Sequence, residues 1–127
     1  MQDYSDLGYE YLGELLASKG IILASVDENF INGSWSNIFG SLDNENDARG
    51  WLLLEHLKVW HECNNTPDNL FHKKIDTTNL ALIGHSRGGE AVAHAAMFND
   101  LPFYPDGASV RFDYNYTIKS IVAIAPV

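Results

Sequence analysis

The stretch from Leu80 to Ala96 constrains the fold of this chain more than any other. It reads LALIGHSRGGEAVAHAA, an apolar run that suits a buried strand, then Gly84-His85-Ser86-Arg87-Gly88, then small residues that suit a helix lying close to a sheet. A serine between two glycines at such a junction matches the Gly-x-Ser-x-Gly pattern, in which the chain turns sharply and presents the serine at the tip. The pattern predicts that Ser86 is a nucleophile held by a strained turn.

Each residue type in this pattern has a physical reason. The backbone on the two sides of the turn approaches closely, so a β-carbon at either Gly84 or Gly88 is expected to clash. The helix that follows directs its free N–H groups and its positive dipole end towards the serine, and the backbone N–H of Arg87 is predicted to donate to an oxyanion. The bare pattern arises by chance in about one such chain in twenty, so the strand and helix around it carry the prediction. A phosphate-binding loop is excluded because no Gly-Lys-Ser/Thr sequence follows.

The rest of the chain alternates between helical and strand patterns, which favours an α/β fold with a mostly parallel sheet and helices on both faces. Gly50 interrupts the second helical pattern without ending it. The expected elements are helices over Ser5 to Lys19, Asp47 to Glu62 and Gly88 to Asn99, strands over Ile21 to Val26, Leu80 to Ile83 and Ser120 to Ala125, and irregular segments over Glu28 to Asn46, Asn64 to Asn79 and Asp100 to Thr117.

Composition limits the partners. The formal net charge of −9 argues against nucleic acid or an anionic membrane surface, and no apolar run approaches the roughly 20 residues that span a bilayer. The first residues have no signal-peptide pattern, but the cellular compartment and the oligomeric state are not predicted. Cys63 is the only cysteine. Its spacing from His56, His61 and His72 matches no paired zinc-ligand pattern, so no metal is expected.

The sequence resembles the α/β-hydrolase superfamily. Ile83-Gly84-His85-Ser86-Arg87-Gly88-Gly89-Glu90 is similar to bacterial esterases near the platelet-activating-factor acetylhydrolase, chlorophyllase and polyester-hydrolase groups. Two other parts of the chain agree with that placement. One is the pattern from Tyr11 to Gly20 followed by a predicted strand that ends Ser25-Val26-Asp27, and the other is the final segment from Ile121 to Val127. The resemblance implies a serine hydrolase that cleaves a small carboxylic ester through an acyl-enzyme on Ser86, without a metal or organic cofactor.

The resemblance also implies partners that these residues do not supply. In the superfamily the triad acid and histidine follow later strands, and the second oxyanion donor precedes the first helix. His85, His94 and the earlier histidines are therefore expected to be structural or surface residues rather than the base, and none of Asp100, Asp106 and Asp113 is assigned to the triad. We expect the 127 residues to form a single partial α/β-hydrolase core from the interior of a longer hydrolase. On its own, the chain is expected not to hydrolyse p-nitrophenyl esters above background.

Two other functions stay open at this point. The chain could belong to a non-catalytic binding module that keeps the turn as scaffold, or to an acyltransferase that uses the same serine. An acid and a histidine at the superfamily's spacing beyond Val127 would favour the enzyme over the module. The aromatic residues Phe30, Trp35 and Phe39 follow the first predicted strand, where they either line a substrate pocket or, as is more common, pack locally.

Overall fold

The computed structural model of the chain describes residues 7–32 and 45–127. They belong to two compact units, residues 1–43 and residues 44–127. The elements in chain order are a 3₁₀ helix (Leu7–Tyr9), α1 (Glu10–Ala17), α2 (Asn29–Asn32), α3 (Glu45–Asn65), β1 (Leu80–His85), α4 (Arg87–Asn99), β2 (Phe103–Tyr104), β3 (Gly107–Arg111) and β4 (Ile118–Ile124).

The first unit contains the predicted amino-terminal helix in a shorter form. The predicted start, Ser5, lies outside the described residues, and α1 proper covers Glu10–Ala17. The helix ends at Ala17, two residues before the predicted Lys19, and the chain leaves it through Gly20, which adopts a left-handed φ of 78° and donates its N–H to the carbonyl of Ala17 at 3.0 Å. The hydroxyl of Ser18 donates to the carbonyl of Leu15 at 2.6 Å and satisfies another acceptor of the last turn.

The strand predicted over Ile21 to Val26 is wrong. Residues 21–28 form neither helix nor strand, and Ile21 and Ile22 are about half exposed, at 51% and 49%. An apolar run becomes a strand only when a neighbouring backbone pairs with it, and within residues 7–32 and 45–127 no strand pairs with this segment. Leu23 instead lies against α1, where its Cδ2 is 3.9 Å from the position of a β-carbon on Gly13.

The second unit is built on a parallel strand pair. β1 and β4 are parallel and adjacent, with Leu82 opposite Ile121 and His85 opposite Ile124. α4 lies in the connection between them and packs on the sheet, so this part of the chain is a strand-helix-strand unit, and the small antiparallel pair of β2 and β3 is inserted between α4 and β4. The described residues are therefore of the mixed α/β class, and both predicted strands of this unit are confirmed to within two residues.

The core of the second unit lies between α3, α4 and the sheet. Phe98, Leu54 and Ala95 have no exposed surface, and small residues on α4 let the helix approach its neighbours. The buried core residues are Leu54, Leu82, Val92, Ala95, Phe98 and Phe112. Burial of such side chains stabilises the fold by about 1.5 to 3 kcal/mol each.

The segment from Asp100 to Thr117, predicted to be irregular, contains a short hairpin. β2 and β3 pair with Tyr104 opposite Gly107, and the chain then places Phe112 in the core, 5.2 Å from the ring of Phe98. Asn99 fixes the return to β4, since its side-chain amide accepts from the N–H of Tyr116 at 2.7 Å and donates to the carbonyl of the same residue at 2.9 Å. Phe112 is therefore a core residue, and Tyr104, Tyr114 and Tyr116 of this segment pack against the same core.

α3 lies directly on α4 at Gly50. A β-carbon on Gly50 would be 2.9 Å from the carbonyl oxygen of Ala91, from the amide nitrogen of Ala95 and from Cβ of His94. The backbones of the two helices are therefore in contact, which only glycine permits at this position. In the described ranges, α3 and every other helix is too short or too polar to cross a lipid bilayer.

Candidate active site

Ser86 occupies the sharp turn between β1 and α4. Its φ of 56° and ψ of −124° lie outside the regions that a residue with a β-carbon ordinarily adopts. It stands at the N-cap position of α4, yet within the described ranges it makes no side-chain cap hydrogen bond. Serine at a helix N-cap usually owes its place to such a bond, so capping does not account for this residue.

Backbone hydrogen bonds hold the strained turn. The N–H of Ser86 donates to the carbonyl of Ile124 at 2.9 Å, which ties the turn to the carboxyl end of β4. The N–H of Gly89 donates to the carbonyl of Ser86 at 2.8 Å and closes the first turn of α4. Both parallel strands therefore end at the edge of the sheet where Ser86 is presented, and Ser86 itself is half-buried.

The two glycines of the pattern differ in the space that the turn leaves for a side chain. A β-carbon on Gly84 would lie 1.8 Å from the carbonyl oxygen and 2.3 Å from the carbonyl carbon of Gly88, so the predicted clash is present there. The prediction of a clash at Gly88 is wrong, since a β-carbon on Gly88 would meet no atom of the described chain within 4 Å. Because the close approach is between Cα of Gly84 and the peptide of Gly88, only the first residue must lack a side chain.

Gly89, which the pattern does not include, is the second tight position. A β-carbon there would be 3.1 Å from Cα of Pro126 and 3.3 Å from the carbonyl oxygen of Ile124. The first turn of α4 thus touches the end of β4, and a side chain at Gly89 would force the two apart. The Gly88-Gly89 pair in the sequence is a sign of this close approach, although the pattern alone does not say which glycine makes it.

The backbone N–H of Arg87 opens α4 directly beside Ser86. α4 begins at Arg87, and the first N–H groups of a helix have no carbonyl partner within the helix. The N–H of Arg87 directly follows Ser86, as an oxyanion donor must in this kind of turn. Its role as a donor remains a prediction.

A row of polar contacts joins the start of α3 to α4, beginning at Arg87 beside the turn, and the sequence did not indicate it. Three consecutive residues of α3 pair with three residues that lie on one face at the start of α4. The pairs are Glu45 Oε1 with Arg87 Nη1 (2.9 Å), Asn46 Nδ2 with Glu90 Oε2 (2.6 Å), and Asp47 Oδ1 with His94 Nδ1. Tyr104 adds a fourth contact, since its hydroxyl donates to Oδ2 of Asp47 at 2.7 Å.

Glu45 is the charged centre of this row. Its side chain is 16% exposed and also forms an ion pair with Arg49, whose side chain is 4% exposed. The hydrogen bond from Arg49 and the positive charges of Arg49 and Arg87 hold the pKa of Glu45 below its usual value, against the effect of burial. Because the pKa is lowered on folding, the stabilisation by this carboxylate is present at neutral pH and is lost as the pH falls through the lowered pKa.

The histidines are engaged elsewhere or exposed. His94 contacts Asp47 through Nδ1, and its Nε2 lies 3.6 Å from Oε1 of Glu90. Nδ1 of His61 lies 2.8 Å from the carbonyl of Leu57, and its ring stacks on Tyr116. His85 is exposed, and Nδ1 of His72 is buried without a hydrogen-bond partner. No hydrogen bond among residues 45–127 joins a histidine to Ser86, so no base is assigned here.

The remaining candidate residues do not add to the site. Phe30 is 69% exposed, and Trp35 and Phe39 lie outside the described residues. Asp100, Asp106 and Asp113 are exposed. Among residues 7–32 and 45–127, no group of three or more His, Cys, Asp or Glu side chains could hold a metal ion.

Comparisons with protein-family models, with curated proteins and with solved structures found no match to this chain.

The strain at Ser86 predicts an unusual effect of substitution. Glycine adopts a φ of 56° without steric cost, whereas alanine keeps the β-carbon that makes this conformation unfavourable. Ser86→Gly is therefore expected to be more stable than Ser86→Ala by about 1 kcal/mol or more, because relief of the strain adds to the ordinary advantage of glycine over alanine at an N-cap position. Urea unfolding of the two variants measures this difference, and an alanine variant as stable as the glycine variant would show that the turn is not strained.

Proposed function

We propose that this chain belongs to a serine hydrolase of the α/β-hydrolase superfamily that cleaves carboxylic esters through an acyl-enzyme on Ser86. One observation carries the proposal: Ser86 has a left-handed φ of 56° between a parallel strand and a helix, without a capping role. Strain of this kind persists where the surroundings impose it, and it clusters at functional sites. The contact between Gly84 and Gly88 is the second support, since it makes the turn tight enough to expose the serine.

The proposed reaction has two steps. Oγ of Ser86 attacks the ester carbonyl carbon, a general base takes the hydroxyl proton, and the tetrahedral oxyanion accepts a hydrogen bond from the N–H of Arg87. The alkoxide then leaves with that proton as the alcohol, and water attacks the acyl-enzyme to release the acid and restore the hydroxyl. Removing one oxyanion donor costs about 3 to 4 kcal/mol in comparable enzymes. The chemistry requires neither a metal nor an organic cofactor.

The proposal extends to the fold. We place β1 and β4 in a mostly parallel sheet that has helices, including α4, on both faces. The carboxyl ends of the strands carry the active site. The parallel pairing of β1 with β4 and the position of Ser86 at their carboxyl ends support this placement.

Active-site labelling tests the function. We expect a fluorophosphonate to modify the full-length protein once, at Ser86, because only an activated serine hydroxyl attacks such a phosphorus centre readily. Mass spectrometry of the adduct locates the site. Ser86→Ala is expected to abolish labelling, whereas Ser109→Ala, a change at an exposed serine of β3, leaves it unchanged.

The same experiment can reject the proposal. Labelling at another residue, or none in a protein shown to be folded, would contradict a nucleophilic role for Ser86. The turn would then be the scaffold of a non-catalytic module. A labelled protein that transfers its acyl group to an added alcohol in preference to water would instead be an acyltransferase.

A further inference from the structure

The turn at Ser86 is held on its β4 side by a backbone hydrogen bond and by a close approach of the two chain segments. Ile124 accepts from the N–H of Ser86 at 2.9 Å, and Gly89 approaches Pro126 closely. These contacts fix the N–H of Ser86 and the position of Gly89 in the first turn of α4. A residue in a strained conformation persists only when contacts from several directions determine it, so the opposite side of the turn also requires an anchor.

Arg87 is anchored on the opposite side by α3. Its guanidinium donates from Nη1 to Oε1 of Glu45 at 2.9 Å, although the side chain is 45% exposed. Glu45 cannot move freely, because the same oxygen is bonded by Arg49, which is 3% exposed. The half-exposed Arg87 is thus bonded to the carboxylate of Glu45, which the buried Arg49 holds in place.

The contact is supported by its neighbours along α3. Asn46 donates to Glu90 at 2.6 Å, and Asp47 contacts His94 one helical turn further along α4. Gly50 then brings the two helix backbones into direct contact. The distance between the start of α3 and the start of α4 is therefore set by several contacts. Of these, the contact of Glu45 lies nearest to Ser86, because its partner Arg87 is the next residue in the chain.

We propose that Glu45 is a positioning residue: through the side chain of Arg87 it fixes the turn that presents Ser86 and the N–H of Arg87. The part of this inference that concerns catalysis rests on the proposed function, and the part that concerns the turn does not. The Arg87 end of this ion pair is half exposed and contributes about 0.2 to 1 kcal/mol to stability, whereas the Arg49 end is buried, so Arg87→Met should perturb the turn with less effect on global unfolding than Glu45→Gln. Small displacements of a nucleophile have large effects on rate.

Two measurements on the full-length protein test the inference. In Glu45→Gln, we expect amide hydrogen exchange in the peptide covering residues 84–90 to accelerate at least threefold, with exchange in the core of α4 unchanged. We expect the rate of fluorophosphonate labelling at Ser86 to fall about tenfold. Glu62→Gln is the matched control, since it makes the same chemical change on an exposed residue of the same helix, about 25 Å away along the axis. It should leave both readouts unchanged.

A double-mutant cycle tests whether Glu45 acts on the turn through Arg87. If Glu45 acts through Arg87, Glu45→Gln has no further effect on exchange or labelling in an Arg87→Met background. Unchanged exchange at residues 84–90 in Glu45→Gln, or additive effects of the two substitutions, would overturn the inference. If exchange accelerates as expected while the unmodified protein is not labelled at Ser86, the proposed function fails and the anchoring of the turn stands.

Discussion

Gly84→Ala is expected to destabilise the full-length protein by about 4 kcal/mol or more, or to prevent folding of the strand-helix-strand unit. The added methyl carbon would lie 1.8 Å from the carbonyl oxygen of Gly88 and 2.8 Å from the amide nitrogen of Gly89. These atoms belong to backbone in the first turn of α4, so no side-chain rotation relieves the overlap. The first turn of α4 would have to move away from β1, which would break the hydrogen bond from Ser86 to Ile124.

Gly88→Ala is the matched control. The same methyl group at Gly88 meets nothing within 4 Å in the described part of the chain, and the residue lies in a helix, where alanine is favoured over glycine. We expect its free energy of unfolding to be within about 1 kcal/mol of the unsubstituted protein, on the stabilising side. Urea unfolding monitored by far-ultraviolet circular dichroism measures both variants. Equal effects of the two substitutions would contradict the geometry of the turn.

The comparison of these glycines shows what a sequence pattern can predict. The pattern around Ser86 correctly predicted the strand, the helix and the clash at Gly84, because all three depend on residues within a few positions of one another. It wrongly assigned the same clash to Gly88, because one close approach between two segments requires only one of them to lack a side chain. It also did not indicate Gly89, whose close contact is with Pro126, far along the chain.

Long-range pairing accounts for the other differences. The apolar run at Ile21 to Val26 has the composition of a buried strand, but a strand also needs a partner backbone that composition does not specify. The pairing of Glu45, Asn46 and Asp47 with α4 joins consecutive residues on one helix to residues spaced by three and four on another. The spacing of Arg87, Glu90 and His94 by three and then four residues could have indicated that they share a face of α4. Their partners could not be predicted without the packing of the helices.

The second large effect is expected at Gly50. From helix propensity alone, Gly50→Ala in the interior of α3 would stabilise the protein by about 1 kcal/mol. The packing reverses this sign, since the new carbon would be 2.9 Å from backbone atoms of Ala91 and Ala95. Because both partners are backbone, α3 and α4 would have to separate, which would loosen the buried contacts of Leu54 as well. We expect a net loss of about 2 to 3 kcal/mol in the free energy of unfolding.

Gly13→Ala separates the packing effect from helix propensity. Gly13 also lies inside a helix, but a β-carbon there would be 3.9 Å from Leu23, an ordinary contact distance. Thermal and urea unfolding should therefore show stabilisation for Gly13→Ala and destabilisation for Gly50→Ala. If Gly50→Ala were also stabilising, the two helices would not be in backbone contact, and the row of contacts from Glu45 to Arg87 would lose its fixed support. The sign of this one substitution thus tests both the packing of the helices and the anchoring of the turn at Ser86.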